Sequence, residues 1–255
     1  MDKQRIAKFQ KIVWDFYKKN KRSFPWRETE NPYHILVSEI MLQQTQTDRV
    51  VPYYKRWMKQ FPNVAALSQA TFGEIYPFWQ GLGYNRRALF LKKAAEYITT
   101  NGWPENLADM PGVGPYTANA VNIFAYNKPL ICIETNIRRV YIHHFFEDKK
   151  DITDKQILKI ALAAAPKDRA RDWHWALMDY GAYLKSVTEN PNRRHKAYAI
   201  QSKFEGSIRQ TRGRILKSLA TGAKTSRQLK SSMAVLKTLE KEGLVVYNKG
   251  KYALA

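Results

Sequence analysis

Thiols are almost absent from this 255-residue chain, in which Cys132 is the single cysteine. One thiol excludes an intramolecular disulfide. It also cannot supply the four thiolates of an iron–sulfur cluster or of a cysteine-rich zinc site. Histidine does not make up the shortfall: the five His are scattered, and His143-His144 are adjacent rather than one helical turn apart. No metal site is expected from side chains. Long apolar runs are missing too, and none approaches the roughly 20 residues of a membrane-spanning helix. Met1-Asp2-Lys3-Gln4 leads directly into a polar helical pattern without signal-peptide character. A cytoplasmic, nucleoid-associated protein is expected. Acidic residues are also scarce, with 22 Asp and Glu against 43 Lys and Arg, a net charge of +21. That excess favours a polyanionic partner. A membrane surface is the competitor, and nucleic acid the better fit.

What is present is a globular composition. Hydrophobic residues make up 44% of the chain, with 7 Trp, 15 Tyr and 11 Phe. The length allows one large domain or two smaller ones. Helical periodicity dominates. Apolar stripes predict helices over 5–18, 33–44, 49–60, 64–70, 72–80, 86–100, 130–146, 154–165 and 172–185, and nothing before residue 240 reads as strand. Residues 1–185 form the main domain in this reading, and 186–205 a basic linker wrapping back onto it. From Gly206 three short helices are predicted, the second capped by Thr225 and the third ended by Gly243. Leu244–Tyr247 and Lys251–Leu254 flank a turn at Asn248-Lys249-Gly250. Three helices and a hairpin over 206–255 make a winged helix-turn-helix module. Residues 186–255 carry 15 Lys and Arg against 4 Asp and Glu, so about half of the net charge sits in just over a quarter of the chain.

The stretch Leu107-Ala-Asp-Met-Pro-Gly-Val-Gly-Pro-Tyr-Thr-Ala-Asn-Ala-Val121 organises the rest. Gly112 and Gly114 can take positive φ, and Pro115 suits the first position of a helix. The pattern reads as helix, tight glycine hairpin, helix, with free N–H groups at the second helix start that suit a phosphate. By themselves these residues do not exclude an ordinary turn between helices, the less favoured alternative.

Two acids stand out. Glu39 lies in the apolar helix 33–44 between Val37 and Ile40. Burial there raises a carboxyl pKa and makes a general acid near neutral pH; a half-exposed glutamate at a helix edge fits the spacing as well. Glu134 follows the apolar run Ile131-Cys132-Ile133 and opens a helix with a basic face. A carboxylate there is expected to be ionised, and a simple cap accounts for it. Gln43 and Gln44 are uncharged amides able to hydrogen-bond bases or enter a base stack, although isolated glutamines are commonly just surface.

Taken together and in order, Pro25-Trp26-Arg27, Ser38–Gln46, Gly81-Leu82-Gly83-Tyr84, Leu107–Val121, Glu134–Val140 and Ala176–Ala182 resemble the helix-hairpin-helix base-excision DNA glycosylase superfamily. The likeness is strongest to its A/G-specific adenine glycosylase (MutY-type) branch and covers residues 20–185. It implies an all-α, two-lobed helix-hairpin-helix DNA glycosylase fold in which the target nucleotide is flipped into a cleft between lobes. Double-stranded DNA carrying a mispaired or damaged base is the implied partner, bound by a monomer. Glu39 falls on the acid that protonates adenine N7. Glu134 falls on the catalytic Asp that stabilises the oxocarbenium-like sugar and directs water. Tyr116 falls where lyase-active relatives such as endonuclease III carry the Schiff-base Lys, which implies simple hydrolysis. Gln43, Gln44 and Tyr84 match residues that enter the stack near the lesion, and Arg22, Trp26 and Trp175 the lining of the base pocket. Gly112, Val113, Gly114, Tyr116, Thr117, Asn136, Arg138 and Arg139 match the DNA-backbone contacts. The hairpin carbonyls match those that hold a monovalent cation.

The chain also departs from the family pattern. Glu134 is one methylene longer than the usual Asp, and Thr135 stands where Gly is usual. Trp175 replaces the Gln or Glu set against the purine. Tyr183 to His195 lacks the four-cysteine loop, so a cluster-free variant is implied, with Arg193, Arg194 and Lys196 taking over backbone contacts. The winged-helix module replaces the domain that recognises 8-oxoguanine. Excision of adenine opposite 8-oxoguanine or guanine is the leading expectation. A thymine or uracil mismatch glycosylase and a catalytically silent DNA-binding sensor are the alternatives.

Overall fold

A computed structural model describes residues 2–255; Met1 lies outside them. The helices are α1 (Lys3–Asn20), α2 (Pro32–Leu42), α3 (Thr47–Gln60), α4 (Val64–Gln69), α5 (Phe72–Trp79), α6 (Arg86–Asn101), α7 (Pro115–Tyr126), α8 (Thr135–Phe145), α9 (Asp154–Ala164), α10 (Ala170–Val187), α11 (Ile208–Leu219), α12 (Ser226–Leu229) and α13 (Met233–Lys241). Two strands, β1 (Val245–Asn248) and β2 (Lys251–Leu254), close the chain. No helix among the described residues is long and apolar enough to cross a membrane.

Chain contacts divide these elements into two compact units. The first comprises Met1–Ile35 and Pro115–Ile200. Its core is aromatic. Phe9 on α1 meets Tyr141 on α8 at 5.4 Å and Trp173 on α10 at 5.8 Å, and the latter two rings are fully buried. Phe9, Val13 and Tyr17 are the buried positions of α1, the four-residue spacing of a helix with one apolar face. Pro191 and Asn192 are buried as well. This half of the expected linker is therefore packed, held by the Asn192 side chain donating to the Thr135 carbonyl (2.9 Å) and by pairing of Ile152 with His195.

The second unit comprises Leu36–Gly114 and Gln201–Ala255. Trp57 and Trp79, both fully buried, meet edge-on at 5.6 Å. A capping box between Thr71 and Glu74 starts α5. In the C-terminal part Thr225 caps α12, as its sequence position predicts, and α13 ends before Gly243 at φ +77°. β1 and β2 pair antiparallel, with Asn248 opposite Lys251. The turn is two residues, Lys249-Gly250, both at positive φ, the backbone that suits a tight hairpin. Asn248 thus belongs to the strand rather than to the turn. The module docks on α5 through the Gly73 N–H, which donates to the Ala255 carbonyl at 2.8 Å.

Two predicted helices are shorter than their apolar patterns. Leu130–Ile133 is not helical, and α8 begins at Thr135 because Glu134 caps it. The segment before the glycine hairpin is a single 3₁₀ turn, Leu107–Asp109, started by the Asn106 side chain. The apolar side chains of such stretches, half-buried at Leu130, Ile131 and Ile133 and buried at Leu107, register as helix when only apolarity is counted.

Candidate active site

Glu39 is buried on α2 at 6% exposure, beside the buried Ser38. Of the two sequence expectations, the enclosed carboxyl therefore holds rather than the exposed helix edge. Gln43 and Gln44 follow the helix end; Gln44 is exposed, at φ +55°. Tyr84 occupies the loop after α5, also exposed and at φ +48°. Both loops are tied to Arg87 at the start of α6. Its buried guanidinium donates to the carbonyls of Ile40 (2.7 Å), Met41 (3.1 Å) and Gln43 (2.5 Å), and to that of Gly83 (3.1 Å). A cation there satisfies carbonyls that the end of α2 leaves without helical partners. Burial pulls the Arg87 pKa down to about 10. Sequence reasoning missed this residue. In the sequence it is the second of two arginines opening a helix, and its proximity to Gly81–Tyr84 was the only signal.

At the hairpin, Gly112 has φ +75°, and a Cβ there would lie 2.4 Å from the Phe90 Cβ. Glycine is required twice over, by conformation and by space. Gly114 is different: its φ is not positive and the space around it is open, so of the two glycines able to take left-handed backbone only Gly112 does. Val113 is buried, so its side chain is not presented to a ligand. Pro115 begins α7, with Tyr116 half-buried behind it and Thr117 buried. Backbone carbonyls are the donor type a monovalent cation takes. In this hairpin the Met110 carbonyl already accepts the Val113 N–H at 3.1 Å.

Glu134 is the N-cap of α8. One carboxylate oxygen accepts the N–H groups of Asn136 (2.7 Å) and Ile137 (2.8 Å). The Asn136 side chain accepts in turn from Arg139 (2.6 Å), which also donates to the Gly181 carbonyl (2.6 Å). At Gly181 a Cβ would stand 2.3 Å from the Asn136 carbonyl oxygen, so α10 lies against α8 only with glycine there. Desolvation raises the Glu134 pKa, outweighing the two N–H bonds and the Arg139 and Arg138 charges that act to lower it. The cap forms as expected, while desolvation works against the ionisation expected of a carboxylate at a helix start.

Several basic residues expected on DNA are used internally. Arg139 is 3% exposed and belongs to the network just described. Arg138 forks onto Asp154 with both bonds at 2.8 Å. Arg194 donates to the Phe146 carbonyl (2.6 Å), tying the segment after α10 to the end of α8. Arg193 and Lys196 remain exposed.

Arg22, Trp26 and Trp175 do come together, around a residue that sequence reasoning had not singled out. Asp179, 2% exposed, receives a fork from Arg27 (2.9 Å twice) and the Arg22 Nε (2.7 Å). Both guanidinium groups lie 5.2 Å over Phe24, which stacks on Trp26 at 5.1 Å. Trp175 stacks on Phe124 at 5.8 Å with Arg27 over its face. The Ala176–Ala182 motif was the available signal for Asp179. Glu134, Tyr116 and this aromatic cluster lie in the first unit; Glu39, Gln43, Gln44, Tyr84 and the glycine hairpin lie in the second.

The pattern of the HhH-GPD superfamily base excision DNA repair proteins matches residues 37–167. The chain belongs to that superfamily. Among relatives of this HhH-GPD protein, the adenine DNA glycosylase of Arabidopsis thaliana is 34% identical over 209 residues, covering 69% of this chain and 33% of the relative. That of Buchnera aphidicola subsp. Baizongia pistaciae is 33% identical, covering 72% and 54%. That of Mycobacterium tuberculosis (strain H37Rv) is 30% identical over 237 residues, covering 80% and 75%. The chain thus spans a third to a half of the first two relatives. Among solved structures, a thermostable thymine-DNA glycosylase matches with TM-score 0.63 and 28% identity over 70% of this chain and 87% of that one. A trapped endonuclease III–DNA covalent intermediate matches with TM-score 0.61 at 20% identity over 72% and 87%, a likeness of fold alone. The matched span of this HhH-GPD chain takes in Glu39, Gln43, Gln44, Tyr84, the hairpin, Tyr116 and Glu134. It leaves out Arg22, Trp26, Trp175 and the C-terminal module.

Proposed function

We propose that this chain is a monofunctional DNA glycosylase that binds double-stranded DNA as a monomer and hydrolyses the N-glycosidic bond of a flipped, mispaired base. Adenine opposite 8-oxoguanine or guanine is the substrate this reading favours. The observation that carries it is a buried carboxyl, Glu39, inside a superfamily match whose relatives of 30–34% identity are adenine DNA glycosylases.

In this mechanism Glu39 delivers a proton to adenine N7. The C1′–N9 bond then breaks with its electron pair going to the neutral base, leaving an oxocarbenium-like sugar. The Glu134 carboxylate stabilises that charge and takes a proton from the water that adds at C1′. Its cap geometry supports the role, because two backbone N–H groups orient one oxygen while burial strengthens it as a base. Tyr116 has no amine and cannot form an imine, so the product is an abasic site without strand cleavage. The reading needs no iron–sulfur cluster, which a single cysteine could not ligate.

A thymine or uracil mismatch glycosylase is the second reading, favoured by the likeness to a thymine-DNA glycosylase structure and by Trp175 at the purine-facing position. Duplexes carrying each mispair, treated with alkali after incubation, separate the two. Adenine excision supports the first, and thymine or uracil excision the second. Product from none leaves a DNA-binding sensor and overturns both. Trapping with borohydride is expected to yield no covalent adduct; an adduct would overturn the monofunctional assignment.

A further inference from the structure

In the second unit a cleft of about 440 Å³ opens beside the two loops held by Arg87. Gln43, Gln44, Tyr84 and Phe90 line it from the main body, and Arg209 and Arg212 from α11 of the C-terminal module. The Arg209 guanidinium donates to the Tyr84 hydroxyl at 3.0 Å and lies 5.8 Å over its ring, while its other nitrogen is anchored on the Ser202 carbonyl at 2.7 Å. Gln201 donates to the Gln44 side-chain oxygen at 3.2 Å and to the Tyr84 hydroxyl. Arg212 and Arg86 share one carboxylate, Glu242. Arg209 pairs with no carboxylate among the described residues, so the cleft keeps an excess of positive charge.

Aromatic faces, amides and unneutralised guanidinium groups in one cleft match a nucleotide. A base stacks on the rings, and its edge and phosphate accept from Arg and Gln. We infer that the C-terminal module completes a nucleotide-holding cleft in which Arg209, with Gln44 and Tyr84, takes one unstacked nucleotide of bound DNA. This rests on the proposed glycosylase reading and adds a specificity element to it. The bonds from Gln201 and Arg209 to Gln44 and Tyr84 hold the cleft in shape without DNA and are exchanged for nucleotide contacts when it binds.

The test uses the full chain and two labelled duplexes, one fully paired and one with a tetrahydrofuran abasic-site analogue opposite guanine. Arg209→Ala is expected to weaken binding of the abasic duplex about tenfold or more and of the paired duplex much less. Arg209→Lys is expected to recover only part, because an ammonium lacks the planar fork. Lys217→Ala, which removes an exposed charge of the same helix outside the cleft, should weaken both duplexes equally and slightly. An unchanged melting temperature establishes that Arg209→Ala is folded; if it is not, Arg209→Lys against Lys217→Ala carries the comparison. Equal loss on both duplexes would mean a backbone contact only, and tighter binding would mean a latch that blocks DNA; either overturns the inference. Mispair excision by the unaltered protein is scored separately. Its absence overturns the glycosylase reading, and its presence with an indifferent Arg209 overturns only this one.

Discussion

Glu39 is buried and Glu134 half-buried, and their predicted behaviour differs. Glu39→Gln is expected to lower single-turnover excision by about 10²–10⁴ while affinity for a mispaired duplex stays close to that of the unaltered protein. Undiminished turnover would remove Glu39 as the proton donor. For Glu134 the pKa is raised in the folded chain above its ordinary 4.5, so the native state holds that proton more tightly than the unfolded state does. Its stabilising contribution is therefore complete below about 4.5 and is lost as pH rises through the raised value. Glu134→Gln does not titrate. Urea denaturation at a series of pH values should show the stability difference moving in favour of the variant as pH rises above 4.5. A difference independent of pH would refute the raised pKa.

Among the elements, the contact of α8 with α10 sets where Glu134 and its partner Asn136 stand. Gly181→Ala drives a Cβ to 2.3 Å from the Asn136 carbonyl oxygen, and backbone cannot yield as a flexible side chain does. Overpacking of this kind costs about 1–3 kcal/mol. The melting temperature is expected to fall, and excision to fall with it, because Glu134 loses its alignment. A variant as stable as the parent would show that the two helices have room to separate. The end of α2 illustrates the same scale from the other side. Apolar periodicity identifies the helix, but its termination rests on Arg87, a residue distant in sequence whose charge looks solvent-facing when read in isolation.

For the molecule as a whole, net charge is the dominant quantity, at +21. Mispaired-duplex affinity should fall linearly, on logarithmic axes, with salt concentration, with a slope of about −0.9 for each phosphate neutralised. Because Arg138, Arg139 and Arg194 are committed to Asp154, to Asn136 and Gly181, and to Phe146, the slope should be smaller than a count of basic residues near the family motifs suggests. A slope near zero would refute phosphate neutralisation as the source of affinity.

Much of this was decided by sequence. The helical periods, the cap at Thr225, the helix start at Pro115 and the glycine at 112 all follow from local rules, because spacing, φ preference and apolarity act within a turn or two of chain, whereas the burial of Glu39 was one of two readings the spacing allowed. The superfamily motifs lie in that same local information. Tertiary structure decided the rest. It shortened the segments before the hairpin and before Glu134, and left Gly114 outside the positive-φ region. It also gathered Arg22 and Arg27 onto Asp179, committed three further arginines to partners within the chain, and set Arg209 against Tyr84. These outcomes depend on which charge meets which carboxylate, carbonyl or hydroxyl at separations from 16 residues, between Arg138 and Asp154, to 157, between Arg22 and Asp179. A charged side chain reads the same in sequence whether it meets solvent or a buried partner. The glycine hairpin shows both halves: local rules require Gly112 to turn the chain, and the Phe90 side chain, supplied by a different helix, leaves no room there for any other residue.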